Sequence, residues 1–241
     1  MALPKIDTPV YELDLPLSKK HVRFRPFLVK EQKNLLMAME SDDKETIENN
    51  IRQVLHNCTV TNDVNIDDLP ILDVEYYFLN LRARSIGEVV NSKYKCGNVV
   101  DGKECGASME SEINLLEIKV HMPDGIDDLI PLTNKISVKL KYPEYSVIKE
   151  VNKLEKATDI AFNMIVRSIE YIFDGEQYYY AKESTFEELQ EFIYSLNQEQ
   201  FSKIEAFFDN LPKMTKNIDM TCKKCGFEHH IEVEGLEDFF V

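Results

Sequence analysis

Cys96-Gly-Asn-Val-Val-Asp-Gly-Lys-Glu-Cys105-Gly106 and Cys222-Lys-Lys-Cys225-Gly226 are the two stretches that decide how this chain folds. Each ends in Cys-Gly, and together they offer four thiolates, the donor set of a closed structural zinc site. Gly97, Gly102, Gly106 and Gly226 make up half of the chain's 8 glycines. A glycine after a ligand cysteine permits the backbone angles that turn the following amides toward sulfur. The second stretch is CxxCG, with Ile218 and Met220 alternating before it and Ile231 and Val233 after it, so it reads as strand, knuckle, strand. The first is looser, with eight residues between its cysteines, and Asp101-Gly102 reads as a hairpin tip that returns one cysteine to the other. If Cys96, Cys105, Cys222 and Cys225 share one zinc ion, residues 106 to 221 form a single excursion pinned at its base. The strands near residues 90 and 230 are then neighbours. The alternative is free thiols in ordinary hairpins.

His121, His229 and His230 are alternative ligands, but adjacent residues on a strand point to opposite faces, so only one of the last two could turn to the metal. A catalytic zinc site keeps three protein ligands and an open position for water. Four cysteines leave none. The remaining cysteine, Cys58, follows a helical pattern and reads as a buried, inert thiol.

The chain has 241 residues, 44% of them hydrophobic, enough for one sizeable core or two modest ones. Its net charge of -15 repels phosphate backbones and anionic membranes, which argues against general nucleic-acid binding. No apolar run approaches the roughly 18 residues of a membrane span, and the first residues lack a signal peptide's apolar stretch, so the reading is a cytosolic chain whose cysteines stay reduced. Around the knuckles the charge reverses. Lys93, Lys95, Lys103, Lys213, Lys216, Lys223 and Lys224 stand against Asp101, Glu104 and Asp219, a surplus that either offsets the charge of a zinc–thiolate centre or marks a docking patch.

Outward from the knuckles, residues 9 to 28 read as two short strands around Leu15-Pro16. Lys30 to Glu40 carries Leu35, Leu36 and Met39 on one helical stripe, and Asp42 with Glu45 starts a second helix through Ile47, Ile51, Val54 and Leu55. Asp67-Asp68-Leu69-Pro70 opens a third helix ending near Ser85. Ser111 to Met122 alternates like a strand, as does Ile136 to Tyr142. Ala157 to Phe173 reads as one well-buried helix, and Gln177-Tyr-Tyr-Tyr180 as a short strand after a turn. Ser184 with Glu187 and Asn197 with Gln200 cap two helices of an αα-hairpin.

No nucleophile elbow, phosphate loop, dinucleotide fingerprint or His-Glu-x-x-His helix is present, and the expectation is a protein that is not an enzyme. The last residues, Gly235-Leu-Glu-Asp-Phe-Phe-Val241, are apolar where termini usually fray and stay polar. Leu236, Phe239 and Phe240 are therefore candidates to face a partner, or else close the chain's own core.

Four segments together resemble a known family: Arg25 to Ser41 (RPFLVKEQKNLLMAMES), Phe207 to Met214 (FFDNLPKM), the Cys222-x-x-Cys225-Gly226 knuckle and Gly235 to Phe240 (GLEDFF). They resemble the baseplate hub assembly proteins of T-even-like contractile-tailed bacteriophages. The resemblance implies a late viral protein in the host cytoplasm, an assembly factor or chaperone for the tail baseplate hub with hub proteins as partners. A permanent place in the hub, or nucleic-acid binding through the zinc ribbon, are the alternatives. The expected fold is α+β: a mostly helical body with short strands and a zinc-ribbon-like subdomain assembled from two distant knuckles. The expected divisions are 1–90 for N-terminal strands and helices, 91–122 with 213–234 for the ribbon, 123–212 for a strand and helical region packing with 1–90, and 235–241 for the tail.

Overall fold

The computed structural model describes residues 6–41 and 43–235. Leu236, Phe239 and Phe240 lie outside the described residues, as does Asp42. Among those described, seven α-helices share the structure with five small sheets. The mixed α+β class holds, with short strands recurring among the helices along the described residues.

Tyr11–Asp14 (β1) and His21–Phe24 (β2) form an antiparallel hairpin. Val29–Met39 (α1), Lys44–Cys58 (α2) and Ile71–Ser85 (α3) pack beside it. Val22, Phe24, Val54, Leu55, Tyr77 and Leu81 are buried together as the first core. Two carboxylates tie this unit. Asp73 of α3, fully buried, accepts the N–H groups of Leu17 at 2.8 Å and Ser18 at 2.7 Å, so the helix caps the turn of the hairpin. Glu31, 2% exposed, accepts from the Arg25 guanidinium at 3.0 Å and from the Leu28 N–H at 2.7 Å. Arg25 also donates to the carbonyls of Pro26 and Asn57, which locks the entrance of α1 to the end of α2.

Two expectations change here. The α2 cap is Asp43, whose carboxylate accepts the Thr46 N–H, one residue beyond the Asp42–Glu45 pairing. On α1, Leu36 and Met39 are 54% and 56% exposed; only Leu35 of that stripe packs against the core, because Glu31 and Ala38 occupy the inward face. Cys58 is fully buried, and burial pushes its thiol up to about 11, the inert state expected of it.

After α3 the chain runs through Val89–Lys95 (β3), Val99–Val100 (β4), Lys103–Glu104 (β5) and Ser108–Asn114 (β6). β3 pairs with β6 over seven residues, and β4 with β5 makes a tiny hairpin at the ribbon's end. The alternation read across Ser111 to Met122 is broken by a 3-10 turn at Leu115–Glu117, where Asn114 caps the Leu116 N–H. The chain leaves the first ribbon there. Lys119–His121 (β7) pairs instead with a strand from the far end of the sequence.

Leu129–Pro131 (β8), Ser137–Leu140 (β9), the short Ile148–Val151 (α4), Ala157–Arg167 (α5), Ile169–Phe173 (β10) and Tyr178–Tyr180 (β11) follow. Ala157 to Phe173 is therefore not one helix. Ser168, fully buried, bonds back to the Met164 carbonyl and ends α5, and Ile169-Glu-Tyr-Ile-Phe173 continues as a strand whose Ile169 and Ile172 face inward. A short apolar run rich in β-branched and aromatic residues fits both periods, and pairing with β9 decides it. The sheet order is β11-β10-β9-β8. Phe186–Tyr194 (α6) and Gln198–Asp209 (α7) cover one face of it through Leu189, Ile193, Ile204 and Phe207. The α6 cap is Thr185 with Glu188, one residue past the Ser184–Glu187 reading, whereas Asn197 with Gln200 caps α7 as read.

Lys213–Thr221 (β12) and Glu228–Glu234 (β13) are the last strands among the described residues, giving a sheet in the order β13-β12-β7. α3 is shared between two cores. Tyr77 and Leu81 belong to the first, while Leu79 and Ala83 pack with Ile113, Met214, Ile218 and Val233 beneath the ribbons. Val90 and Ile231 lie against that same cluster. No helix among the described residues is long and apolar enough to cross a membrane.

Burial opposes the charge on Glu31, but the Arg25 guanidinium and the Leu28 N–H outweigh it and hold the carboxyl below its ordinary range. With the folded value depressed, its contribution to stability is present above the ordinary carboxylate range and is lost as pH falls through the folded value. Glu31→Gln is expected to cost about 2–3 kcal/mol at neutral pH. Urea unfolding across pH should show the gap closing below about pH 4; a gap unchanged into stronger acid would deny the ion pair this role.

Candidate metal centre

Each knuckle sits where an antiparallel ribbon ends. Cys96 directly follows β3, and Cys222 directly follows β12. In the second knuckle the Cys222 N–H donates to the Phe227 carbonyl at 2.8 Å and the Gly226 N–H to the Cys222 carbonyl at 2.8 Å. The first repeats the pattern: the Cys96 N–H donates to the Ala107 carbonyl and the Gly106 N–H to the Cys96 carbonyl, each at 2.9 Å. The unusual spacing is thereby explained. It is a knuckle with a hairpin inserted between its cysteines, closed by a bond from the Cys105 N–H to the Asn98 carbonyl at 2.7 Å.

The insert turns at Asp101 and Gly102, with φ of 50° and 75°, the pair of positive values that a two-residue hairpin loop requires. Gly226, at φ 73°, takes the left-handed conformation that lets its amide reach back to Cys222. Gly97 is not among the positive-φ residues, so the expectation that all three Cys-following glycines serve unusual angles holds for Gly106 and Gly226 and not for it.

The four sulfurs converge, with their ligand atoms within 4.8 Å of one another. Cys96 Sγ lies 3.6 Å from Cys225 Sγ, and Cys105 Sγ lies 3.8 Å from Cys222 Sγ. No disulfide joins them. A regular tetrahedron around an ion with metal–sulfur bonds of about 2.3 Å has edges of about 3.8 Å, so the spacing suits a single ion. Cys96, Cys105 and Cys222 are buried, and Met109, Met220, Tyr94 and Ala107 surround them as an apolar shell.

The surroundings favour thiolate at Cys222 and Cys225. The N–H groups of Cys225 and Lys224 bond to the Cys222 sulfur and lower its thiol. The Phe227 N–H and the Asn98 amide do the same for Cys225, bringing it to about 6. Cys96 moves the other way, pushed up by burial and by the crowding of the other thiols. That opposition has the form of several thiols competing for one charge, which a cation at their centre would relieve.

Histidine joins the site without completing it. His229 Nε2 lies 3.2 Å from Cys96 Sγ, while His230 turns to the opposite face and bonds Asp219 at 2.6 Å. The two-face argument holds. His121 pairs with Lys213 at the other end of β12 from Thr221, roughly 25 Å away at strand rise, and is no ligand. His229 was among the alternative ligands considered, and Asn98 is the contact that residue counting missed; its place two residues after Cys96, inside the insert, was the available signal.

Most of the lysines are accounted for locally. Lys93 pairs with Glu110 at 3.5 Å, Lys213 with Glu234 at 3.0 Å and Lys216 with Glu117 at 3.2 Å, and Lys224 donates to the Cys105 carbonyl at 2.9 Å. Those carboxylates come from paired strands and the 3-10 turn, and counting only the knuckle loops left them out. Four of the seven lysines are so engaged, which weakens the reading of a basic docking patch.

The chain matches the family model described as T4 bacteriophage base plate protein over residues 8–241. No curated protein and no solved structure matches it.

Cys105→Ser and Cys225→Ser are each expected to abolish stoichiometric metal and to lower the thermal midpoint, since closed structural sites contribute on the order of 10 kcal/mol. His229→Ala and Cys58→Ala should keep full metal content. Elemental analysis with thermal unfolding, with and without a strong chelator, makes the comparison; variants as stable as the parent with chelator inert would identify the four as ordinary thiols.

Proposed function

The chain belongs to the T4 bacteriophage base plate protein family, and from that membership we propose that it is a non-enzymatic assembly factor for the tail baseplate hub, built around a structural zinc ion. Base plates are multi-protein assemblies, so its partners are other base plate proteins, and the hub is where the resemblance of residues 25–41, 207–214 and 235–240 directs it. Its setting is the host cytoplasm while the tail is under construction.

The observation that carries this reading is the family match across nearly the whole chain. Physical features support it. A net charge of -15 keeps a transient factor soluble and away from nucleic acid. Four thiolates, three of them buried, make a centre that braces structure and has no ligand position set aside for water. Zinc is the ion this donor set and these sulfur spacings suit best, being redox-inert and content with tetrahedral thiolate. Exposed Leu36, Met37 and Met39 on α1 add apolar surface of the adaptable kind used in contacts between proteins.

The test separates a factor that leaves from a component that stays. Quantitative mass spectrometry of hub precursors and of purified finished particles should find the chain with hub proteins in the precursor and missing from the particle. Fixed copy number in the finished particle would make it a permanent component instead, and absence from both would remove it from hub construction.

A further inference from the structure

The sheet β11-β10-β9-β8 has one face covered by α6 and α7 and the other turned to solvent. Antiparallel sheets so placed ordinarily read apolar inward and polar outward. This one does not. Cross-strand register sets Tyr171 opposite Tyr180 and Phe173 opposite Tyr178, which puts four aromatic rings on the side away from buried Ile172. Tyr178 and Tyr180 are 53% and 39% exposed. Leu129 of β8, also exposed, extends the same face beyond Lys139 of β9.

The rings form a built surface. Tyr171 meets Tyr178 and Tyr180 edge-on at 5.2 and 5.9 Å, Phe173 lies 4.6 Å from Tyr178, and Tyr178 stacks with Tyr180 at 6.2 Å. Each ring fixes the next, so little side-chain freedom is left to lose on binding.

Charge decides what such a surface accepts. Residues 169–183 hold four carboxylates, Glu170, Asp174, Glu176 and Glu183, against the single Lys182. Asp174 is occupied within the turn by the N–H groups of Glu176 and Gln177 and by the Tyr179 hydroxyl, whereas Glu170, Glu176 and Glu183 are exposed. Lys139 is matched by Asp128 at 2.6 Å. The π-faces of tyrosine attract cations, and the chain's own Lys182 already stands over the Tyr180 ring, 5.3 Å from its centroid. A polynucleotide would meet these carboxylates and a net charge of -15.

We propose that the aromatic outer face of this sheet, centred on Tyr171, Tyr178 and Tyr180, is a docking surface for an arginine-bearing basic segment of a partner protein. Planar guanidinium groups stack on the rings while the flanking glutamates neutralise them, a match that lysine makes less well. The surface is set by the sheet itself and does not depend on the hub assembly role or on the metal.

Tyr171, Tyr178 and Tyr180 are three of the chain's 11 tyrosines and two of them are removed in the variants, so binding is read by isothermal titration calorimetry. The probe is an eight-residue peptide of alternating glycine and arginine, compared with its lysine and glutamate counterparts and with an oligothymidine. The arginine peptide is expected to bind tightest and to weaken with added salt. The double variant Tyr178→Ala with Tyr180→Ala should lower its affinity about tenfold or more with the thermal midpoint unchanged. Tyr178→Leu with Tyr180→Leu, which keeps apolar area and so guards against a folding defect, should lose the preference for arginine over lysine. No binding at millimolar peptide, equal binding by the alanine variant, arginine preference surviving in the leucine variant, or tighter binding of the glutamate peptide or oligothymidine would each overturn the proposal.

Discussion

Everything in this fold depends on bringing Cys96 and Cys105 to Cys222 and Cys225. Cys105 and Cys222 are 117 residues apart in sequence and their sulfurs are 3.8 Å apart in space. Closing a loop of that length costs about 4 kcal/mol in chain entropy beyond a length-independent constant. A closed four-thiolate site contributes on the order of 10 kcal/mol, more than twice that cost. The same cysteines that fix the topology are placed where one cation could join them.

The clasp is not isolated from the rest. β7 lies between the two ribbons in sequence and joins the second by pairing with β12, so the chain crosses from one knuckle's ribbon to the other's before its long excursion begins. Beneath them, α3 offers Leu79 and Ala83 to the ribbon core and Tyr77 and Leu81 to the N-terminal core. Asp73 on the same helix holds the first hairpin. One helix thus couples the cysteine end to the N-terminal unit, and a disturbance at the thiols has a packed route to residues near the start of the chain.

Much of this was legible in sequence where chemistry is local. The grouping of the four cysteines, the Asp101-Gly102 tip, the third helix and the Asn197 cap each follow from a few neighbouring residues with one physical use. What escaped reading depended on contacts distant in sequence. Ile169 to Phe173 became a strand because β9 was there to pair with it. The stripe of α1 stayed exposed because Glu31 took the inward position, satisfied by Arg25. The lysine surplus near the knuckles shrank once Glu110, Glu117 and Glu234 arrived from neighbouring elements. Two helix caps moved by one residue, since adjacent Asp42-Asp43 and Ser184-Thr185 offer equivalent side chains and only the observed geometry selects between them.

X-ray absorption at the zinc edge of the purified full chain tests the central claim most directly. The account predicts one zinc per chain in a shell of four sulfurs at about 2.3 Å. Three sulfurs with a nitrogen would put His229 in place of a cysteine, and a shell containing water oxygen, or no bound metal, would contradict the closed clasp on which the rest of the structure depends.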